Sequence, residues 1–203
     1  MAEARAADLL EAAFAEIGEV GWEEARARAI AERAGVSLAE LYRHYPSREA
    51  LLRALTRRVD EAMLSVDPAE FAGLPPRDCV FELMMRRYDA LAPYRAGLAR
   101  LAREGWLDPA LVLGTVCRVD RSLAWLQEAA GLAAHGLRAR LARRALAFAY
   151  LRTFEVWLKD QSNDLAKTMA ALDKALRGIE MIAGLRDGRA GPLPADEGAP
   201  APA

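Results

Sequence analysis

Apolar residues recur three and four apart along nearly the whole of this chain, and that period suits helices packed on helices. Leu10, Ala13, Phe14 and Ile17 form the first stripe, closed by Gly18 and Gly21, and Leu52, Leu55, Val59 and Met63 form another. No β-branched alternating runs occur with an Asn-Gly or Asp-Gly turn between them. The expectation is an all-α protein of about nine helices.

Helix breakers and caps divide the pattern. A second helix is expected over about 24–34, stopping at Gly35. A third begins after Ser37, whose hydroxyl suits an N-cap, and ends at Pro46. Ser47 caps a fourth, with Glu49 in the first turn where the helix dipole favours an acid. Residues 67–76 hold three prolines and one glycine and mark a domain boundary. Later helices are expected near 77–90, 93–104, 109–130, 136–159 and 165–183. Val112, Val116, Val119, Leu123 and Leu126 form one seam; Leu165, Met169, Leu172, Leu176 and Ile179 form another. The division reads 1–64, 65–184 and a tail, 185–203, whose Gly, Pro and Ala have nothing to bury and imply disorder.

With 203 residues, 53% of them hydrophobic and 28% charged, the chain can form one or two domains around a real core. A net charge of −1 leaves any nucleic-acid role to local distribution. Residues 1–65 carry nine Arg against twelve Asp and Glu, a net −3, but 26–58 carry eight Arg against Glu32, Glu40 and Glu49, a net +5. Cys79 and Cys117 stand alone in apolar stretches and read as core thiols of a reducing compartment. The acidic N-terminus lacks the apolar run of a signal peptide. Residues 145–158, interrupted by Arg152 and Glu155, are too few to span a bilayer. A cytoplasmic protein without membrane insertion is expected. The histidines are His44 and His135, and no nucleophile elbow, phosphate loop or metal-spaced cluster accompanies them. Neither an enzyme nor a cofactor is expected.

Residues 30–55, IAERAGVSLAELYRHYPSREALLRAL, read as a helix, a sharp turn at Ala34-Gly35-Val36-Ser37 and a short capped helix. Gly35 relaxes a left-handed turn position, and Val36 plugs the small core between the helices. A helix of two turns enters a major groove when a neighbour braces it, which is the helix-turn-helix arrangement. Tyr42, His44 and Arg48 then supply donors suited to phosphate oxygens.

This stretch resembles the tetracycline-repressor (TetR) family, whose pattern reads roughly "IA..AGVS...LY.HF..KE.L". Here it is met by Ile30-Ala31, Ala34-Gly35-Val36-Ser37, Leu41-Tyr42, His44-Tyr45, Arg48-Glu49 and Leu51. The resemblance implies that Tyr42, His44 and Arg48 contact phosphates, while Arg28, Leu38, Ala39, Glu40 and Arg43 face base edges; Ser37 joins this set. Arg28 and Arg43 suit guanine, because a guanidinium donates two bonds to O6 and N7. Two positions depart from the family: Arg26 and Glu40 stand where small hydroxyl residues are frequent. Glu40 points an anion toward phosphates unless it accepts from a cytosine N4 or pairs with Arg43.

Residues 145–158, ALAFAYLRTFEVWL, are apolar on nearly every side and must be covered all round. The following helix covers one face, and a second copy of the pair the other. This agrees with the four-helix homodimer interface that the TetR resemblance implies, expected at Leu151, Trp157, Leu158, Met169, Leu172 and Leu176. Such a dimer sets two recognition helices about one DNA turn apart, on a palindromic operator in double-stranded DNA. Met84, Met85, Tyr88, Trp106, Cys117, Trp125, Phe148 and Phe154 are the expected lining of a pocket for a small apolar or amphipathic effector. Residues 157–176 and 120–125 also resemble TetR-like ubiquinone-biosynthesis accessory proteins through Trp157, Asp160, Ser162, Asp164, Thr168 and Asp173. That family binds isoprenoid lipids instead of DNA. Ser162 or Asn163 also reads simply as the cap of the last helix. Two readings follow: a ligand-responsive transcriptional regulator, a repressor in kind, or an isoprenoid-binding accessory protein.

Overall fold

The computed structural model describes residues 2–132, 136–162 and 164–183. His135, Asn163 and the 185–203 tail lie outside the described residues. Among those described there are nine α-helices and no strand.

The N-terminal part comprises α1 (Ala2–Val20), α2 (Ala27–Arg33), α3 (Leu38–His44) and α4 (Arg48–Leu64). Helix α1 runs through Gly18 and ends at Gly21, whose φ of 101° is left-handed. Gly18 serves close approach instead of termination: a Cβ there would lie 3.1 Å from the Ala96 methyl. Helix α2 starts three residues later than its pattern suggests, because Trp22 and Ala25 turn inward and are buried. The two serine caps form as expected: Ser37 Oγ accepts from Glu40 N and Ser47 Oγ from Ala50 N, each at 3.1 Å.

A 3₁₀ turn (Pro68–Phe71) leads to α5 (Pro76–Leu91), a second 3₁₀ turn (Ala92–Tyr94) and α6 (Arg95–Glu104). A third turn (Gly105–Leu107) precedes α7 (Pro109–Ala129), then α8 (Gly136–Lys159) and α9 (Ala166–Ala183). Asp108 caps α7 by accepting from Ala110 N and Leu111 N. The core is continuous from Leu10 and Phe14 in α1, through Val59 and Met63 in α4, to Leu83, Met84, Leu123 and Leu146. Helices α1 and α6 cross closely, since a Cβ on Gly97 would lie 2.4 Å from the Phe14 carbonyl oxygen.

Helix α9 packs along α8. Trp157, Leu172 and Leu176 are fully buried within the chain, which corrects their assignment to an intermolecular face. Leu151 is exposed, and Leu158 and Met169 are half-buried. Asp160 builds the α8–α9 corner: its carboxylate accepts from the N–H and hydroxyl of both Ser162 and Thr168. The Ser162 hydroxyl, followed by the Thr168 donors, holds this carboxyl well below the ordinary Asp range, against the opposing effect of burial. Leu165 completes the turn with a left-handed φ of 51°.

Helix α7 is rotated relative to its expected seam. Val112 and Val116 are exposed; Leu111, Arg118, Ser122, Leu123, Leu126 and Gln127 face inward. Polar Arg118 and Ser122 occupy the buried stripe because each finds a partner on α4, which an apolar period cannot register. Cys117 follows the outward face and is exposed, so only Cys79 is a core thiol.

Candidate nucleic-acid interface

The turn between α2 and α3 is built by its backbone. Gly35, at φ 65°, donates its N–H to Glu32 O (3.1 Å), and Val36 donates to Ala31 O (3.0 Å). This is a Schellman stop, requiring a left-handed residue at Gly35. It turns the chain so that Ser37 can start α3 at once.

Helix α3 spends a single residue, Leu41, on the core. Ser37, Leu38, Ala39, Tyr42 and Arg43 are exposed, with Leu38 at 46% and Tyr42 at 66%. A two-turn helix held by one buried leucine is braced from outside: the Tyr45 hydroxyl, just past its end, donates to Ala6 O of α1 at 2.8 Å. His44 is half-buried, its ring 6.2 Å from that of Tyr45.

Charge on this face is sorted by long-range pairs. Glu40 is bound by Arg5 of α1 at 3.1 Å and not by Arg43, so its anion is largely neutralised from behind α3. Arg33 is likewise occupied by Glu16 and Glu19. Arg26, Arg28 and Arg43 are exposed and form no ion pair among the described residues. Arg48 is turned back: it bonds Glu23 Oε2 (3.1 Å), Glu23 O (2.7 Å) and Ala25 O (3.3 Å), and lies 5.6 Å from the Trp22 ring centre. It clamps the α1–α2 loop to the head of α4 and reaches a phosphate only by leaving Glu23. An open groove of about 690 Å³ runs between the starts of α2 and α4, lined by Arg26, Leu38, Ala39, Tyr42 and Ser47. Arg26 thus joins the face that its departure from the family pattern had set apart. Its position in one groove with Leu38 and Ser47 is not signalled by spacing along the chain.

Helix α4 links this face to the rest of the molecule. Arg118 of α7 donates to Glu49 in its first turn at 2.6 Å. Further along, Asp60 accepts from Arg87 of α5 at 2.7 Å, and the Arg87 guanidinium also bonds Ser122 and lies over the Tyr150 ring. Arg87 is buried, so this node works in a low dielectric, where loss of one partner leaves an uncompensated charge.

The effector pocket expected from sequence is not assembled. Met84 and Tyr88 are fully buried, and Met85 and Phe154 half-buried, whereas Trp106 (70%), Trp125 (55%), Phe148 (64%) and Cys117 lie on the surface. The interior aromatics fill one another's space. Tyr88 stacks on Tyr150 and Trp157 with ring centres 5.8 and 5.7 Å apart, and donates its hydroxyl to Tyr150 O. Burial raises the Tyr88 pKa well above the ordinary phenol value. The residues resembling the lipid-binding family are occupied too. Trp157 packs against Tyr88, Phe154 and Arg95, Asp160, Ser162 and Thr168 close the corner, and Asp173 pairs with Arg77 and Arg177.

Residues 9–55 match the family model described as bacterial regulatory proteins, tetR family. Over these residues the chain is similar to the N-terminal part of TetR-family regulators. A TetR transcriptional regulator from Nitrosomonas europaea ATCC 19718 superposes with a TM-score of 0.70 at 27% identity, over 85% of this chain and 96% of that one. A structure described as the molecular basis for control of antibiotic production by bacterial hormones aligns at 0.54 and 26% identity, over 90% and 98% of the two chains. A TetR regulator from Rhodococcus sp. RHA1, at 0.57 and 22% identity over 88% and 96%, shares the fold. Among curated proteins none matches this sequence. The TetR regulator fold therefore extends over both parts of the molecule, and no described helix is long and apolar enough to cross a membrane.

Proposed function

We propose that this TetR-type chain is a cytoplasmic, non-catalytic repressor that binds a palindromic operator as a homodimer and responds to a small effector. Residues 1–64 form the DNA-binding unit and 65–184 the regulatory and dimerising unit. The observation that carries the reading is α3 itself. One leucine anchors it, and its remaining outward side chains, flanked by unpaired Arg26, Arg28 and Arg43, face solvent. Such a helix contributes little to the core and is shaped to enter a groove. Arg28 and Arg43 read base edges, with Leu38 and Ala39 giving apolar contact; Ser37, Tyr42 and His44 bond phosphates, while Arg48 positions the head of α4.

Exposed Leu137, Leu141, Phe148 and Leu151 on α8 supply an apolar face for the second copy, with Trp125 of α7 nearby in the hairpin. The neighbour described as the molecular basis for control of antibiotic production by bacterial hormones supports an effector role by analogy of fold. The test is enrichment of genomic DNA fragments by the purified protein at moderate salt, with a Tyr42→Ala/Arg43→Ala control. Recovery of a palindrome that the control fails to bind supports the reading. Equal recovery by both proteins, or no enrichment, defeats it.

A further inference from the structure

We propose that the cleft between α1, α4 and the α5–α6 junction binds a small aromatic monocarboxylate, held by Arg58 and Tyr94. The cleft has a volume of about 850 Å³, within the usual range for small-molecule sites. Part of its wall is low: Ala6 and Ala7 from α1, Ala54 and Ala62 from α4, Ala90 and Pro93 from the other side. These leave room for a flat ring.

The anion-binding pair follows from hydrogen-bond arithmetic. Tyr94 is 1% exposed, its ring fixed edge-on against Phe14 at 5.4 Å, and its hydroxyl, beside the donor Arg58, has no acceptor for its hydrogen. The neighbouring Tyr45 phenol, by contrast, spends its hydrogen on Ala6 O. Burial raises the pKa of both phenols, and the Arg58 cation, close to each, opposes that rise. Arg58 cannot relieve Tyr94, because a guanidinium only donates and the phenol hydrogen needs an acceptor. Arg58 itself is exposed and forms no ion pair among the described residues, unlike Arg57, which is bound to Glu61 at 2.7 Å. A carboxylate satisfies both at once, accepting the Tyr94 hydrogen and an Arg58 N–H in a charge-assisted pair. Asp89 and Glu61 also line the cleft and Glu11 lies near Tyr94; these carboxylates disfavour a second negative group, which restricts the class to monoanions.

The position gives the site its consequence, which rests on the DNA-binding reading. Tyr45, α1 and α4 form the wall on the helix-turn-helix side, and 90–94 the wall on the other. A ligand wedged there shifts α4 against α5 and carries α3 with it.

The test is isothermal titration of the full chain, without DNA, with 2-naphthoate and its neutral isostere 2-naphthamide. Naphthoate is expected to saturate one site per chain and to bind more tightly than the amide. Arg58→Gln should weaken naphthoate about 10-fold and leave the amide unchanged. Tyr94→Phe, which keeps the ring and its packing, should weaken naphthoate as well, while Arg103→Gln, at an exposed position in the last turn of α6, should not. Non-saturating binding, equal affinity for acid and amide, or indifference to both cleft substitutions overturns the proposal. Because DNA is absent, that failure leaves the operator-binding reading standing, and loss of operator binding leaves this titration unaffected.

Discussion

Replacing Gly97 by Ala measures how tightly the helix-turn-helix unit is joined to the rest of the chain. Gly97 lies inside α6, where alanine by itself favours the helix by about 1 kcal/mol. The added methyl, however, would sit 2.4 Å from the Phe14 carbonyl oxygen and 2.8 Å from the Phe14 ring. The first neighbour is backbone and cannot rotate away, so α1 and α6 must separate. Overpacking of this kind costs roughly 1–3 kcal/mol, and set against the helix gain it leaves a net loss of up to about 2 kcal/mol. Gly178 in α9 provides the matched control, being helical and exposed, with nothing within 4 Å of the place a methyl would take. Gly178→Ala should therefore stabilise by about 0.5–1 kcal/mol. Urea unfolding at one fixed protein concentration checks both, since the stability of an oligomer depends on concentration. Thermal midpoints should move in opposite directions, by about 2–4 °C per kcal/mol for a chain of this size. If Gly97→Ala stabilises as much as Gly178→Ala, the close crossing of α1 and α6 is refuted.

Three further outcomes follow from specific pairs. Arg5→Ala unmasks the Glu40 anion on the α3 face and should weaken operator binding roughly 2–5-fold, as for a loss of about 0.5–1 kcal/mol; adding Glu40→Ala should restore it, and an electrophoretic shift cycle at constant salt shows whether it does. Asp160 has a folded-state pKa below its unfolded value, so its contribution is complete above about pH 4 and declines as pH falls through and below that value. The stability advantage of the native chain over Asp160→Asn should accordingly shrink on acidification, and a difference that grows toward low pH would contradict the capping role. Phe148→Asp, at a 64% exposed position on α8, should leave helix content intact while sedimentation shows monomers; an unchanged dimer would place the interface elsewhere.

Much of the helix-turn-helix unit was legible because its signals are local. The Ser37 and Ser47 caps reach three residues ahead, and the Gly35 stop closes between residues no more than five apart. Arg28 and Arg43 were recognisable by type and position, and both are exposed and form no ion pair among the described residues. The roles of Glu40 and Arg48 were not legible. One depends on Arg5, 35 residues earlier, and the other on Glu23, 25 residues earlier. Neither spacing corresponds to a helical period.

The C-terminal half divides in the same way. Periodicity by itself determined that this chain is all-helical, and Pro, Gly and capping residues determined where most helices begin and end, since those preferences act within a turn or two of backbone. Which face of each helix turns inward was decided by tertiary structure. Arg118 and Ser122 are buried in α7 because Glu49 and Asp60 on α4 receive them, and Val112, Val116 and Cys117 are turned outward as a result. Trp157, Leu172 and Leu176 have the same apolar character as an intermolecular seam, yet α8 and α9 consume them within one chain. Hydrophobic burial is non-directional and does not distinguish an internal neighbour from a second copy; only the packed arrangement of helices settles which surface remains to be covered.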